Sequence, residues 1–186
     1  MITLCFMQGV NAQEAVDLGL SVDWATHDVG AMNPYEMGTY YVMGTTIPLS
    51  STKSPAKHII DHKVDISGNP EYDVATACWG EQWRTPTYME WTELMTLCSW
   101  EYEKKKDENG KSVAVYRITG PNGNCIFINA PLHRIDMPFS KLCSSPHGRK
   151  KGMWMFTMTT NNKYALWGAG KNPYYCVGAV RPIRNK

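Results

Sequence analysis

Residues Trp79 to Leu94 read WGEQWRTPTYMEWTEL, and the start of a helix is written into them. The clearest helix follows Pro86. Thr87 then offers a hydroxyl to the first unpaired N–H groups, and Glu90, three residues on, completes a capping box. Trp91, Leu94, Met95 and Cys98 follow at i, i+3, i+4 and i+7, so one face of the turn is apolar. The pattern predicts a principal helix over about residues 87–98, packed by that face on a sheet.

Strand signals lie on both sides of this helix. Downstream, Trp100–Tyr102, Val113–Ile118 and Cys125–Ile128 are rich in aromatic and β-branched residues, with turn dipeptides at Asn109-Gly110 and Gly120-Pro121-Asn122-Gly123. The mixed charges of Glu103 to Lys111 read as the solvated turn of a hairpin. Met153–Met158, Tyr164–Trp167 and Tyr174–Pro182 continue the style. Upstream, Val16, Leu18, Leu20 and Val22 alternate, which predicts one strand over Ala15–Ala25. A turn at Asn33–Glu36, a strand at Thr39–Met43 and a long Ser, Lys, Pro and His loop over Pro48–Pro70 complete the pass. One helix among many short strands indicates an α+β domain.

The 186 residues suffice for one domain, and seven tryptophans with ten tyrosines supply bulky side chains for its core. A net charge of +2 with interspersed signs gives no field that would gather nucleic acid or an anionic membrane. Arg149-Lys150-Lys151, set among Ser, Pro, His and Gly, reads as a surface loop. Met1 to Ala12 carry no charge, are apolar at Ile2, Leu4, Cys5, Phe6 and Met7, and end in Val10-Asn11-Ala12. That pattern reads as the tail of an export signal, which would leave 13–186 as a single exported domain. No other stretch approaches the ~18 apolar residues of a membrane span. Without Cys5, five cysteines remain, so at least one is expected to stay unpaired, with Cys98 and Cys125 buried as small hydrophobes.

Three segments, Ala15–Gly44, Tyr72–Cys98 and Tyr116–Arg134, with the closing Val177–Ile183, resemble the Fibrobacter major paralogous domain. The most specific piece is W-G-x-x-W-R-x-P-T-x-x-E-W-x-x-L at Trp79–Leu94. The resemblance implies a C-type-lectin-like fold of short twisted antiparallel strands, related to formylglycine-generating enzymes and to retroelement-diversified variable proteins. Family members are typically exported surface or envelope proteins, and the scaffold usually meets ligands through its C-terminal strands and loops, here Trp154 to Tyr175.

Chemistry finds little support in the residues. His58 and His62 stand at i, i+4 beside Asp61 and Asp65, but Pro55 and Gly68 flank them and no third ligand follows at fixed spacing, so a loop is the expectation and no metal is assigned. The resemblance to formylglycine-generating enzymes would need a close cysteine pair near Cys176, and the sequence holds none; such an enzyme is the third reading. Calcium is possible but lacks the Glu-Pro-Asn or Gln-Pro-Asp signal, since Asn172-Pro173 and Asn69-Pro70 read as turns. Recognition without catalysis is the first reading, with a glycan or protein at the cell surface as partner. Its expected contacts are Tyr164, Trp167, Tyr174, Tyr175, Asn161 and Asn172, rigid rings interleaved with amides. A structural subunit of the envelope is the alternative. Trp154 and Trp167 could equally be core, Trp79, Trp83 and Trp91 are expected to be core, and Arg84 and Arg181 are expected to tie carbonyls or carboxylates inside the fold.

Overall fold

The computed structural model describes residues 13–58, 63–107, 109–130, 139–147, 152–158, 164–168 and 177–186, giving the backbone alone at 56, 139–140 and 164–168. The principal helix, α2 (Tyr88–Leu97), starts where the sequence places it. The Thr87 hydroxyl accepts from the Glu90 N–H, and the Glu90 carboxylate accepts from the Thr87 N–H at 2.7 Å. Trp91 and Leu94 are fully buried, while Met95 and Cys98 are half-buried at the margin of the apolar face. A second helix, α1 (Val74–Trp79), was not expected; its six residues are too few to show a period, and its signal is the cap Asp73.

Strands make up most of the rest, in three sheets. The first joins β1 (Ala15–Asp17), β2 (Val22–Ala25), β12 (Ile183–Asn185) and β4 (Trp83–Arg84) in that order, all antiparallel. The single strand expected over Ala15–Ala25 is therefore a hairpin. Gly19, at φ 77°, turns the chain, its N–H held by the Asp17 carboxylate at 2.7 Å, and Leu18 and Leu20 are buried at the bend. The second sheet runs β10 (Tyr164–Gly168), β9 (Met153–Met158), β8 (Phe139–Pro146), β11 (Val177–Ala179), β3 (Tyr40–Val42), with the β8–β11 pair parallel. The third is a meander of β5 (Ser99–Lys106), β6 (Ser112–Thr119) and β7 (Cys125–Asn129). Here Glu103–Lys106 continue the strand that the charge cluster seemed to end, because each pairs with a residue of β6; the turn itself falls at Gly110, φ 75°.

Strands β8 and β9 of the five-stranded sheet are buried on both faces. Leu142, Met153 and Met155 enter one core with Trp83, Val42 and Val180, whereas Cys143, Phe156 and Met158 enter the other with Trp91, Trp24 and Ile183. Trp91 stacks on Phe156 at 4.3 Å and meets Trp24 edge-on at 4.9 Å, so one side chain joins α2 to two sheets. Trp83 and Trp91 are core as expected, but Trp79 is half-buried, packed against the first core with its ring 5.2 Å from that of His27. Strands β4, β8 and β12 had no counterpart in the sequence reading.

Candidate functional site

The most distinctive exposed feature grows from the end of β8. Pairing with β9 is irregular between Leu142 and Pro146, and beyond it the His147 N–H donates to the Gly152 carbonyl at 2.9 Å. This brings the His147 ring to 4.3 Å from that of Trp154. At the start of α2 the Tyr88 N–H, one of the donors a helix start leaves unpaired, donates to Ser145 Oγ at 2.9 Å, and the Tyr88 ring comes to 4.5 Å from Trp154. Ser145 Oγ in turn donates to Asp65 Oδ2 at 2.5 Å, while Asp65 Oδ1 accepts from the Ser67 N–H at 2.9 Å. Three half-buried rings thus adjoin an exposed carboxylate whose orientation is fixed from both sides. Val64 and Met89, chain neighbours of Asp65 and Tyr88, are each 69% exposed.

Strand β10 runs beside this cluster. Its Gly168 pairs with Trp154, Trp167 with Met155 and Tyr164 with Met158. Tyr164 and Trp167, three residues apart, occupy register positions on opposite faces of the strand, so the strand alone does not unite them. Asn161, Asn172, Tyr174 and Tyr175 lie outside the described residues. Tyr88, Ser145, His147 and Asp65 were missed as members of this cluster, and no spacing could have found them, since they come from three separate segments.

A second polar cluster is sealed inside. Asp28 is fully buried and ion-paired with Lys141 and with Arg181, whose Nε donates to Asp28 Oδ1 at 2.7 Å. Arg181 Nη1 donates to the carbonyls of Ala25 and Thr26 at 3.0 and 2.7 Å, which fulfils the structural role expected of it; Nη2 has no partner among the described residues. Burial alone would push the Asp28 carboxyl up, but Lys141 and Arg181 hold it below the ordinary carboxylate range. His27 is pulled below the usual imidazole value by burial and by repulsion from Arg181. Burial and the Asp28 charge push the Tyr40 phenol up to about 12. Arg84 is likewise structural, pairing with Glu90 and donating from Nε to Asn185 Oδ1 at 3.0 Å.

Cys98, Cys125 and Cys143 are free thiols and Cys78 is disulfide-bonded. Cys98 and Cys125, expected to be buried, are only half-buried because they stand at a helix end and a strand start; Cys143 is the buried one. Burial pushes its thiol up to about 12, so it is a protonated core residue with little thiolate character. In native protein, iodoacetamide is expected to leave Cys143 unlabelled until unfolding and Cys78 unlabelled until reduction, as peptide mapping will show. Labelling of Cys143 in the folded chain would contradict this packing. His58 is exposed just after a short 3-10 turn at Pro55–Lys57, and His62 and Asp61 lie outside the described residues. Among the described residues no group of three His, Cys, Asp or Glu side chains is placed to hold a metal, and no helix is long and apolar enough to cross a membrane.

These observations define an α+β domain, mostly antiparallel strands with two helices, carrying a half-buried ring cluster beside an exposed carboxylate. No family model matches the chain, and neither a curated protein nor a solved structure does.

Proposed function

We propose that this chain is an exported binding module of the cell surface or envelope, with the C-type-lectin-like arrangement of the Fibrobacter major paralogous domain. It captures a glycan or a protein without catalysis and without calcium. The observation that carries the reading is the half-buried ring cluster of Tyr88, His147 and Trp154 beside the fixed Asp65 carboxylate. Rings held by neighbours offer contact area at small entropic cost, and an oriented acceptor selects among polar ligands. Strand β10 pairs with β9, and Tyr164 takes a register position on the face of Trp154; Tyr164 is therefore the proposed contact nearest the cluster, while Trp167, on the opposite face, and Asn161, Asn172, Tyr174 and Tyr175 are proposed from the sequence alone. The Cys78 disulfide supports export, since such bonds persist in oxidising compartments.

The test is binding of the purified chain to glycan and host-protein arrays, first with calcium and then with chelator. Binding is expected in both conditions. It should weaken at least tenfold in Tyr88→Ala and in Tyr174→Ala/Tyr175→Ala, with unchanged circular dichroism, as loss of aromatic anchors commonly does. A signal that vanishes with chelator would replace this reading with a calcium lectin. An envelope assembly subunit is the second reading, favoured by the exposure of Val64 and Met89, which adjoin Asp65 and Tyr88 in the chain. Concentration-dependent self-association in sedimentation velocity, abolished by Met89→Lys, would select it.

A further inference from the structure

We infer that the Tyr88–Trp154–His147 cluster takes a neutral pyranose unit of a glycan, with Asp65 as the acceptor for its hydroxyl groups. This deepens the binding reading above and rests on it. A pyranose has C–H faces that pack on aromatic rings and hydroxyls around its edge that need acceptors, and the cluster offers both within one patch. The rings of Tyr88 and Trp154 are tilted by 43° and those of His147 and Trp154 by 47°, which makes an angled surface rather than a flat one. Asp65 is prearranged: Ser145 Oγ occupies one position on Oδ2 and the Ser67 N–H one on Oδ1. Each oxygen keeps acceptor capacity, and the carboxylate need not reorient to use it.

The sign of the charge narrows the class. Asp65 is exposed and has no ion-pair partner among the described residues. An anionic sugar brought to the same edge would face the Asp65 carboxylate, and like charges across an interface oppose association. Uronic-acid polymers should therefore be rejected while neutral polymers are accepted. A polypeptide could also lie on the rings, but a carboxylate held with acceptor capacity on both oxygens suits a ligand whose edge is rich in hydroxyl donors.

The experiment is titration calorimetry of the full chain, with chelator present, against neutral pentasaccharides of glucose, mannose, xylose and galactose and against pentagalacturonate. At least one neutral pentamer should bind, with pentagalacturonate at least tenfold weaker. Asp65→Ala should weaken the neutral ligand about tenfold or more, the usual consequence of losing a charged acceptor, and should narrow the gap to pentagalacturonate. Tyr88→Ala should abolish binding and Tyr88→Phe, which keeps the ring, should retain it; this separates recognition from misfolding. Equal or tighter binding of pentagalacturonate, or an affinity indifferent to Asp65→Ala, overturns the inference. So does a protein ligand lost in Tyr88→Ala when no neutral pentamer binds, although that result keeps the binding-module reading. If no glycan or protein tested binds in a manner sensitive to Tyr88, both fail together.

Discussion

Asp28→Ala is expected to destabilise the fold by about 3–5 kcal/mol, the usual cost of stranding buried charges by removing one partner. Lys141 and Arg181 would both lose their carboxylate in a region where Arg181 is fully buried and Lys141 nearly so. The denaturant midpoint measures the loss, and Asp28→Asn, which keeps an acceptor for Arg181 Nε, should lose less. A fall below about 1 kcal/mol in Asp28→Ala would mean that water reaches the cluster and the pair is worth no more than a surface one. Acid acts in the same direction, in two windows. His27 has a folded pKa below its unfolded value near 6.5, so the unfolded chain takes up that proton first and stability declines as pH drops below about 6.5. Asp28 is also depressed, so its contribution is whole above the unfolded value near 3.9 and is lost as pH falls through the lower folded value. Unfolding followed from pH 8 to pH 3 should show both declines, and His27→Gln should remove only the first.

Asp73→Ala is the second large effect, expected at about 3 kcal/mol from several buried donors left without an acceptor at once. One carboxylate receives the N–H groups of Gly68 at 2.7 Å, Ala75 at 2.9 Å and Thr76 at 3.4 Å. It also receives the N–H of Thr85, at 2.9 Å on its nearer oxygen, and the Thr85 hydroxyl at 2.6 Å. It caps α1 and simultaneously pins the end of the Pro48–Pro70 loop to the segment leading into α2. Thermal unfolding reads the cost, and Asp73→Asn, which can accept at one atom only, should fall between Ala and the native residue. If Asp73→Ala melts like the native chain, the donors have found other acceptors and the pin is dispensable.

What the sequence made legible was local. The α2 cap needs only Thr87 and Glu90, three residues apart, and the β5–β6 turn needs only Asn109-Gly110, so both were readable. Strand β8 was not, because Lys141, Ser144, Ser145 and Pro146 resemble a loop until Lys141 is seen to have a partner 113 residues away at Asp28. Local alternation misled at Ala15–Ala25, where Asp17 and Gly19 form a turn that the apolar period runs straight through. The candidate site fared the same way. Trp154 stood out as a residue, but its ring neighbours are set by the β8–β9 irregularity and by the Tyr88–Ser145 contact, which join distant segments.

Strand β12 lies between β2 and β4, and Ile183 faces Trp24 on one side and Arg84 on the other. Strands β2 and β4 therefore wait for a third that leaves the ribosome about a hundred residues after β4, and Arg181 reaches Asp28 over a separation of 153 residues. Loop closure on that scale comes late and slowly, so the nascent chain has no complete first sheet to settle into. A sheet whose interior position is filled only when β12 arrives makes that strand the latch of the two made before it.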